Sequence, residues 1–421
     1  MTAGNTRPGT GELTIDQAYT RLCQDLPPPG GSQALALRAA RGRVLASALV
    51  AAHDLPGQDV SAMDGYVVRA ADLAHGAQVL PVAGSILAGH GLAQALAPGQ
   101  CARIMTGAPL PLGGDAVVVL EQAQALADGR VLLPGPVAAG ANCRPRGEHV
   151  RRGDVVLPAG RALRAADLAL AAALGCTSLT VYRRLRVGVF STGDELQDAP
   201  ASLAPAGAYD SNRPLLLAAL DAAALDAIDL GICRDDPASL QQLIGRAWDL
   251  GLDALLASGG AALGDADLVR ALGGVEFLPV AVRPGRGIVH GWLRRGGAAL
   301  LLLGLPGNAV AAYVLAHLLA LPLLSRLAGA AAAAPPRPIA LATARELHTR
   351  AGRIELRRAR LIFDAAGNCS VDPLAEQGSA MLRSVCSAQA IVAVGPSAHY
   401  RAGELMPTYL LSAFEDPHQP Q

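Results

Sequence analysis

The segment RVGVFSTGDEL at residues 186–196 decides the fold. Val187, Val189 and Phe190 surround a glycine with no polar alternation, the pattern of a strand buried on both faces, and a Ser-Thr-Gly-Asp-Glu turn then breaks the run. The same unit recurs downstream. Apolar, β-rich runs at 186–190, 227–232, 254–257, 277–282 and 299–303 alternate with helical patterns at 214–224, 238–250, 266–272 and 309–319. This alternation predicts βαβ units and a doubly wound parallel sheet over about 183–330. Asn212 with Pro214, and Asp236 with Pro237, each offer a capping side chain followed by a proline suited to a first helical turn.

Outward from this unit, an Ala-rich run ends in Pro335, Pro336 and Pro338, the composition of a linker. Beyond it, 335–415 holds short alternating runs such as 390–394 and predicts a small C-terminal β domain. On the other side, 53–140 is dense in glycine and proline with Val-rich runs at 116–120 and 131–133, which predicts a β-rich second domain. Its flanks, 1–52 and 141–182, carry helical patterns at 15–25 and 165–174. These are expected to meet in a mixed, discontinuous N-terminal domain. A chain of 421 residues is long enough for several cores, so a multidomain α/β plus β protein is the expectation.

Lys plus Arg and Asp plus Glu balance at 35 each, and aromatic residues make up only 3%, so neither a global positive field nor stacking platforms exist for nucleic acid. The seven cysteines are odd in number, scattered and never in a C-x-x-C pair, which reads as reduced, mostly buried thiols. The polar start lacks the features of a signal peptide. The apolar run at 309–324 falls short of the ~20 residues that span a bilayer. No membrane and a cytoplasmic location are therefore expected.

In doubly wound sheets ligands sit beyond the carboxyl ends of the strands. The loops there read STGDEL (191–196), RDD (234–236), SGGAALGDAD (258–267), RPGR (283–286) and LPGN (305–308). Glycines such as Gly193, Gly259 and Gly260 let the backbone approach a ligand, and helix N-termini attract oxyanions. Arg283 and Arg286 add charge-assisted bonds to an anion. Acids in the same loops need a hard cation between them and a phosphate, which Mg²⁺ supplies with one or two carboxylates. A magnesium nucleotide site is the chemistry these loops favour. G-x-x-x-x-G-K-[ST] is absent, as is a G-x-G-x-x-G opening a helix after a strand, so P-loop and Rossmann dinucleotide sites are disfavoured. Two strings in the first half, DLPGQDVSAMDGYVVR (54–69) and RIMTGAPLPLGGDAVVVLEQ (103–122), place Asp64 before Gly65 and Thr106 before Gly107 at tight turns.

Together with GANCRPRGEHVRRGDVVLPAG (140–160), YDSNRP (209–214) and GLPGN (304–308), these strings resemble the signature segments of the molybdopterin molybdenumtransferase family, which includes the gephyrin E-domain. The resemblance spans nearly the whole chain. It implies a four-domain subunit with a molybdopterin-binding doubly wound domain. It also implies a homodimer whose cleft lies between that domain of one subunit and the second domain of the other. The implied reaction is insertion of molybdate into adenylylated molybdopterin with release of AMP, dependent on Mg²⁺. By resemblance, Asp64, Thr106, Glu195, Asp236 and Asp265 are catalytic. Ser191, Thr192, Gly193, Ser258, Gly259, Gly260, Asp267, Arg283, Arg286, Pro306 and Asn308 bind substrate, and Glu195, Asp235 and Asp236 are candidate Mg²⁺ ligands. Arg353 and Ser379 are further carry-overs from the C-terminal domain. Molybdenum cofactor synthesis proteins and recipient molybdoenzymes are the implied partners.

The chain departs from the family pattern around this site. His149 stands where an acid is usual, Ala262 where a serine is, Arg283 and Arg286 where lysines are, and Ala309 where a proline follows GLPGN. A titrating imidazole replaces a fixed anion, and planar forks replace point charges. The alternative reading is a paralogue that binds the pterin nucleotide as carrier or assembly partner, with weak insertase activity.

Overall fold

The computed structural model describes residues 11–91, 94–260, 268–269, 272–349 and 352–411. Strands β1 (Arg186–Thr192), β2 (Asp226–Cys233), β3 (Ala254–Ser258), β4 (Val275–Pro279), β6 (Gly287–Arg295) and β7 (Ala298–Leu305) form one sheet in the order β2-β1-β3-β7-β6-β4. β2, β1, β3 and β7 are parallel, while β6 runs antiparallel to both β7 and β4. Helices α1 (Asn212–Ala222) and α3 (Ala309–Leu327) cover one face and α2 (Pro237–Asp249) the other. Alternation along β1 divides the core. Val187 and Val189 pack with Leu216, Leu220 and Leu318, whereas Phe190 packs with Leu240, Leu243 and Leu255. Burying each such leucine contributes roughly 1.5–3 kcal/mol, so a doubly wound sheet follows from the sequence pattern.

The sheet differs from the expectation at one end. The run at 277–282 does not continue as one strand: β4 stops at Pro279, and β5 (Val282–Arg283) leaves the sheet. β6 was not among the expected strands; glycines within a short apolar run commonly signal turns, whereas here they are sites of close backbone approach: a Cβ on Gly287 or Gly291 would lie 2.1 Å from the carbonyl oxygen of Leu278 or Gly274. The helix expected at 309–319 runs on through Pro322 to Leu327. A π-helical stretch, Ala316–Ala320, precedes the proline and opens the turn where its ring would crowd the carbonyl four residues back. Nearly all of α3 is buried in the protein, as its apolar composition requires. The helix expected at 266–272 lies largely outside the described residues.

The C-terminal strands β8 (Ile339–Thr343), β9 (Ile354–Phe363), β10 (Cys369–Pro373), β11 (Ala390–Val394) and β12 (Leu405–Leu410) close on themselves. β9 pairs with β10 and β11, β10 with β8, β8 with β12 and β12 with β11. Closure removes the exposed edges of this small barrel. β5 adds to it by pairing in parallel with β9, Val282 opposite Ile354 and Arg283 opposite Glu355. The RPGR loop is thus anchored to two domains at once.

In the first half, a six-stranded sheet links Gly65–Val68, Gln78–Ile86, Cys101–Ile104, Ala116–Val119, Gln124–Ala125 and Arg130–Leu133. Flanking segments meet through Ser32–Ala36 with Ser178–Tyr182, and Leu49–Val50 with Val155–Leu157, around Leu45, Leu157, Leu163 and Val181. The helix Ile15–Leu22 does not join the Ala165–Ala173 helix in that core. Its apolar face, Ala18 and Leu22, packs on the α3 side of the doubly wound sheet, and Tyr19 Oη donates to Ala333 O at 2.6 Å. All seven cysteines are free, with Cys101 and Cys233 buried, four half-buried and Cys386 exposed, so the thiols are less buried than expected.

Candidate active site

Parallel strands β1, β2, β3 and β7 end on one edge, and their loops meet there. Gly259, with φ +91°, presses so closely on β1 that a Cβ would lie 2.7 Å from Thr192 O and 2.8 Å from Thr192 Oγ1. Its N–H donates to Leu305 O at 3.0 Å, and Gly193 N–H to Cys233 O at 3.3 Å. Ser191, Thr192 and Ser258 are buried at this edge. Asn212 was expected to cap α1, but the helix begins at Asn212 itself. Asp210 Oδ1 accepts the Asn212 and Arg213 amides at 3.2 Å each, and Ser191 Oγ at 3.0 Å. Freed from capping, Asn212 Nδ2 donates to Ser258 Oγ at 2.8 Å and to Gly307 O at 2.7 Å. One amide therefore ties α1 to the loops after β3 and β7. The sequence reading missed Asn212 and Asp210 in these roles, although both sit in the YDSNRP string.

The acids divide by environment. Asp236 caps α2: its Oδ1 accepts the Ala238 and Ser239 amides at 2.9 and 3.0 Å, and its Oδ2 accepts Ser239 Oγ. The Ser239 hydroxyl and amide hold its carboxyl below the usual range. Asp236, expected as a catalytic or metal-binding acid, is thus the N-cap of α2 at this edge. Glu195 and Asp235 are exposed, beside Asp194, whose Oδ1 accepts the Asp235 amide at 3.2 Å and whose carbonyl accepts Arg234 Nη1 at 2.9 Å. Glu195, Asp235 and Asp236 do not place one oxygen each within 4.8 Å of one another. Asp265, Asp267 and Ala262 lie outside the described residues.

Between the RPGR loop, the LPGN loop and the barrel lies a cavity of about 1010 Å³. Arg283, Arg286, Arg345, Arg353, Arg357 and Arg358 line it against Glu346 and Glu355, and although Asp372 pairs with Arg345 and Glu12 with Arg353, a positive excess suited to an oxyanion remains. Arg353 donates from Nε to Glu12 Oε1 at 2.6 Å and Arg357 from Nη2 to Glu355 Oε2 at 2.7 Å. Arg283 lies 3.9 Å from Glu355, and Arg286 is exposed with no ion-pair partner among the described residues. Arg358 is 1% exposed and bonds to no carboxylate among the described residues. It donates instead to Ser384 Oγ and Gly378 O, both at 2.9 Å, and burial pulls its pKa down. Ser379 follows in the same loop, its carbonyl accepting the Val310 amide at the start of α3 at 3.1 Å. Pro306, Asn308, Arg353 and Ser379 all line the cavity, and Ala309 opens α3 without the family's proline. Arg345, Arg357 and Arg358 were missed; a cluster of arginines at 345–360 was their only signal.

Asp64 and Thr106 stand together on the second domain's sheet. Thr106 donates to Asp64 Oδ1 from both its amide and its hydroxyl, at 2.7 Å each, and these bonds, the amide first, hold the carboxyl below the usual range. Gly107 is a true turn at φ +78°, but Gly65 begins a strand; a Cβ there would lie 2.0 Å from Val118 O. None of the cavity-lining residues comes from 53–140. His149 is exposed, its amide donating to Leu55 O at 3.0 Å.

A sheet edge of close-set glycines and buried hydroxyls, flanked by acids and an arginine-lined cavity, defines a protein that handles phosphorylated or oxyanionic small molecules. Comparison with known proteins gives the family. Residues 13–175 match the MoeA N-terminal region (domains I and II), 188–326 a probable molybdopterin-binding domain, and 340–411 the MoeA C-terminal region (domain IV). The molybdopterin molybdenumtransferase of Haemophilus influenzae is 35% identical over 383 residues, covering 89% of this chain and 93% of that protein. That of a Nostoc species is 36% identical over 322 residues, covering 74% and 73%. The crystal structure of a molybdopterin biosynthesis MoeA protein from Pyrococcus horikoshii superposes with a TM-score of 0.73 at 27% identity, covering 95% of this chain and 99% of that one. The chain belongs to the MoeA family of molybdopterin molybdenumtransferases and is an enzyme of molybdenum cofactor biosynthesis.

Proposed function

We propose that this chain inserts molybdate into adenylylated molybdopterin, releasing AMP, with the sheet edge holding the nucleotide and the arginine-lined cavity taking the oxyanion. The observation that carries this reading is the adjacency of the two: Pro306 and Asn308 line the cavity, while Gly307 between them accepts the bond from Asn212 that fixes Ser258. Gly259, Gly260 and Ser258 present the edge to a phosphate, with Ser191, Thr192 and Gly193 completing it. Arg283 and Arg286 offer planar forks to a tetrahedral oxyanion. Asp267 and Asp265 belong to the same loop in sequence and are assigned here by family resemblance.

For Mg²⁺, the candidate donors at this edge, Glu195, Asp235 and Asp236, are all carboxylates, and one or two of them suffice for the ion when phosphate oxygens and water complete its shell. Bound there, Mg²⁺ supplies neutralisation of the phosphate charge. This chain's own part is to fix the nucleotide through the loop amides and to draw the oxyanion toward it through the arginines. Asp64, ionised and oriented by Thr106, is assigned the second domain's share of the chemistry. A homodimer in which Asp64 of one subunit faces the loops of the other accounts for motifs in both halves of the chain. Reduced thiols support a cytoplasmic setting, with cofactor-synthesis proteins upstream and recipient molybdoenzymes downstream.

AMP release from adenylylated molybdopterin, with Mg²⁺ and with or without molybdate, tests the reading. Molybdate-dependent release that Asp64→Ala abolishes supports it. Tight nucleotide binding without release makes the chain a carrier instead.

A further inference from the structure

Two short strands on the C-terminal domain, Leu347–His348 and His399–Tyr400, run antiparallel with His348 directly opposite His399. Their rings stack with centroids 4.3 Å apart and planes 11° from parallel. Strand alternation sends Leu347 into the barrel core and leaves Glu346 on the side of His348. Glu346 Oε1 lies 2.6 Å from His399 Nε2 and 3.2 Å from His348 Nε2. Among the described residues, no other trio of His, Cys, Asp or Glu brings one ligand atom each within 4.8 Å. The ribbon is fixed just beyond the pair, where Thr349 Oγ1 donates to Gly395 O at 2.7 Å and accepts the Ala398 amide at 2.8 Å.

We propose that Glu346, His348 and His399 bind a divalent transition-metal ion of the Zn²⁺ class at the rim of the arginine-lined cavity, which Glu346 also lines. Two imidazoles and a carboxylate suit Zn²⁺ and disfavour Mg²⁺ or Ca²⁺, which take oxygen ligands. Tetrahedral Zn²⁺ with bonds near 2.0–2.2 Å separates its ligand atoms by about 3.3 Å. Reaching that spacing opens Glu346 Oε1 from His399 Nε2 by about 0.7 Å and from His348 Nε2 by about 0.1 Å, and turns the stacked rings so that both Nε2 lone pairs converge, a rotation that these exposed side chains allow. Three protein ligands leave the fourth position to water or an anion, and the ion clips the two strands together. The proposal does not depend on the transferase reading.

Calorimetric titration of the untagged, metal-stripped, full-length protein with ZnCl₂ tests it. A single transition of one equivalent per chain, lost in H348Q/H399Q, is expected; its absence from wild type, or its survival in the double variant, overturns the proposal. Should the double variant melt early without metal, E346Q, which keeps both rings, replaces it. That variant should weaken binding at least about tenfold, a loss typical even of outer-shell partners, and an unchanged affinity overturns the site. The seven thiols are the competing ligands. Co²⁺ substitution should therefore give visible d–d bands without thiolate-to-cobalt charge transfer, and a charge-transfer band contradicts the assignment.

Discussion

Asn212 Nδ2 donates to Ser258 Oγ at 2.8 Å, joining the first turn of α1 to the end of β3 inside the buried edge of the doubly wound sheet. The same nitrogen also reaches Gly307 O, so a single side chain sets the spacing of the loops that carry Ser258, Gly259, Pro306 and Asn308.

Asn212→Ala removes this tie and leaves the Gly307 carbonyl and the Ser258 hydroxyl without it. Urea unfolding should show a loss of about 1–3 kcal/mol, the cost of buried polar groups left unsatisfied. AMP release should fall further than stability does, because the loops lose their mutual register.

Gly259→Ala brings strain and a collision together: φ is +91° and the new Cβ meets Thr192 O at 2.7 Å. Overpacking of this kind costs about 1–3 kcal/mol. Thermal unfolding should register it, and nucleotide affinity should drop with it. Gly273→Ala, where nothing lies within 4 Å, is the neutral control.

Arg283→Gln and Arg286→Gln each delete a cation from the cavity while keeping a polar side chain in its place. Charge-assisted hydrogen bonds contribute roughly 1.5–3 kcal/mol, so the molybdate KM should rise by about ten- to a hundredfold in each while nucleotide binding persists.

Thr106 sets the acid limit of Asp64. Because Asp64 is depressed in the folded state, it stays ionised as pH falls past the ordinary carboxylate range, and its charge is lost only when pH falls through the lowered value. Thr106→Val keeps the amide bond and removes the hydroxyl, so the Asp64 titration should move upward toward about 3.9. Carboxyl-carbon NMR should show that shift, and the acid limb of the pH–rate profile should follow it.

The parallel core was readable because Val187, Val189, Leu255 and Leu256 are apolar without alternation, a pattern that few structures other than a sheet covered on both faces satisfy. β6 was not readable, since Gly287 and Gly291 signal turns in sequence and close backbone contact in space. Loop chemistry at 191–196, 258–260 and 283–286 was legible as glycines, acids and arginines. The use each side chain is put to was not, as Asp236 turned inward to cap α2 while Asn212 left its cap to Asp210. The barrel's contribution was the least visible. Arg358 sits on a strand where a buried guanidinium breaks the usual pattern, and β5 crosses into the barrel by only two residues.

The most direct measurement follows labelled molybdate into the pterin fraction during a single turnover, with AMP counted in parallel, for wild type and for R283Q/R286Q. Label should enter the pterin in step with AMP in the wild type, and the double variant should bind the nucleotide but transfer no label. AMP release indifferent to molybdate, or label transfer unaffected by the double substitution, would contradict the account.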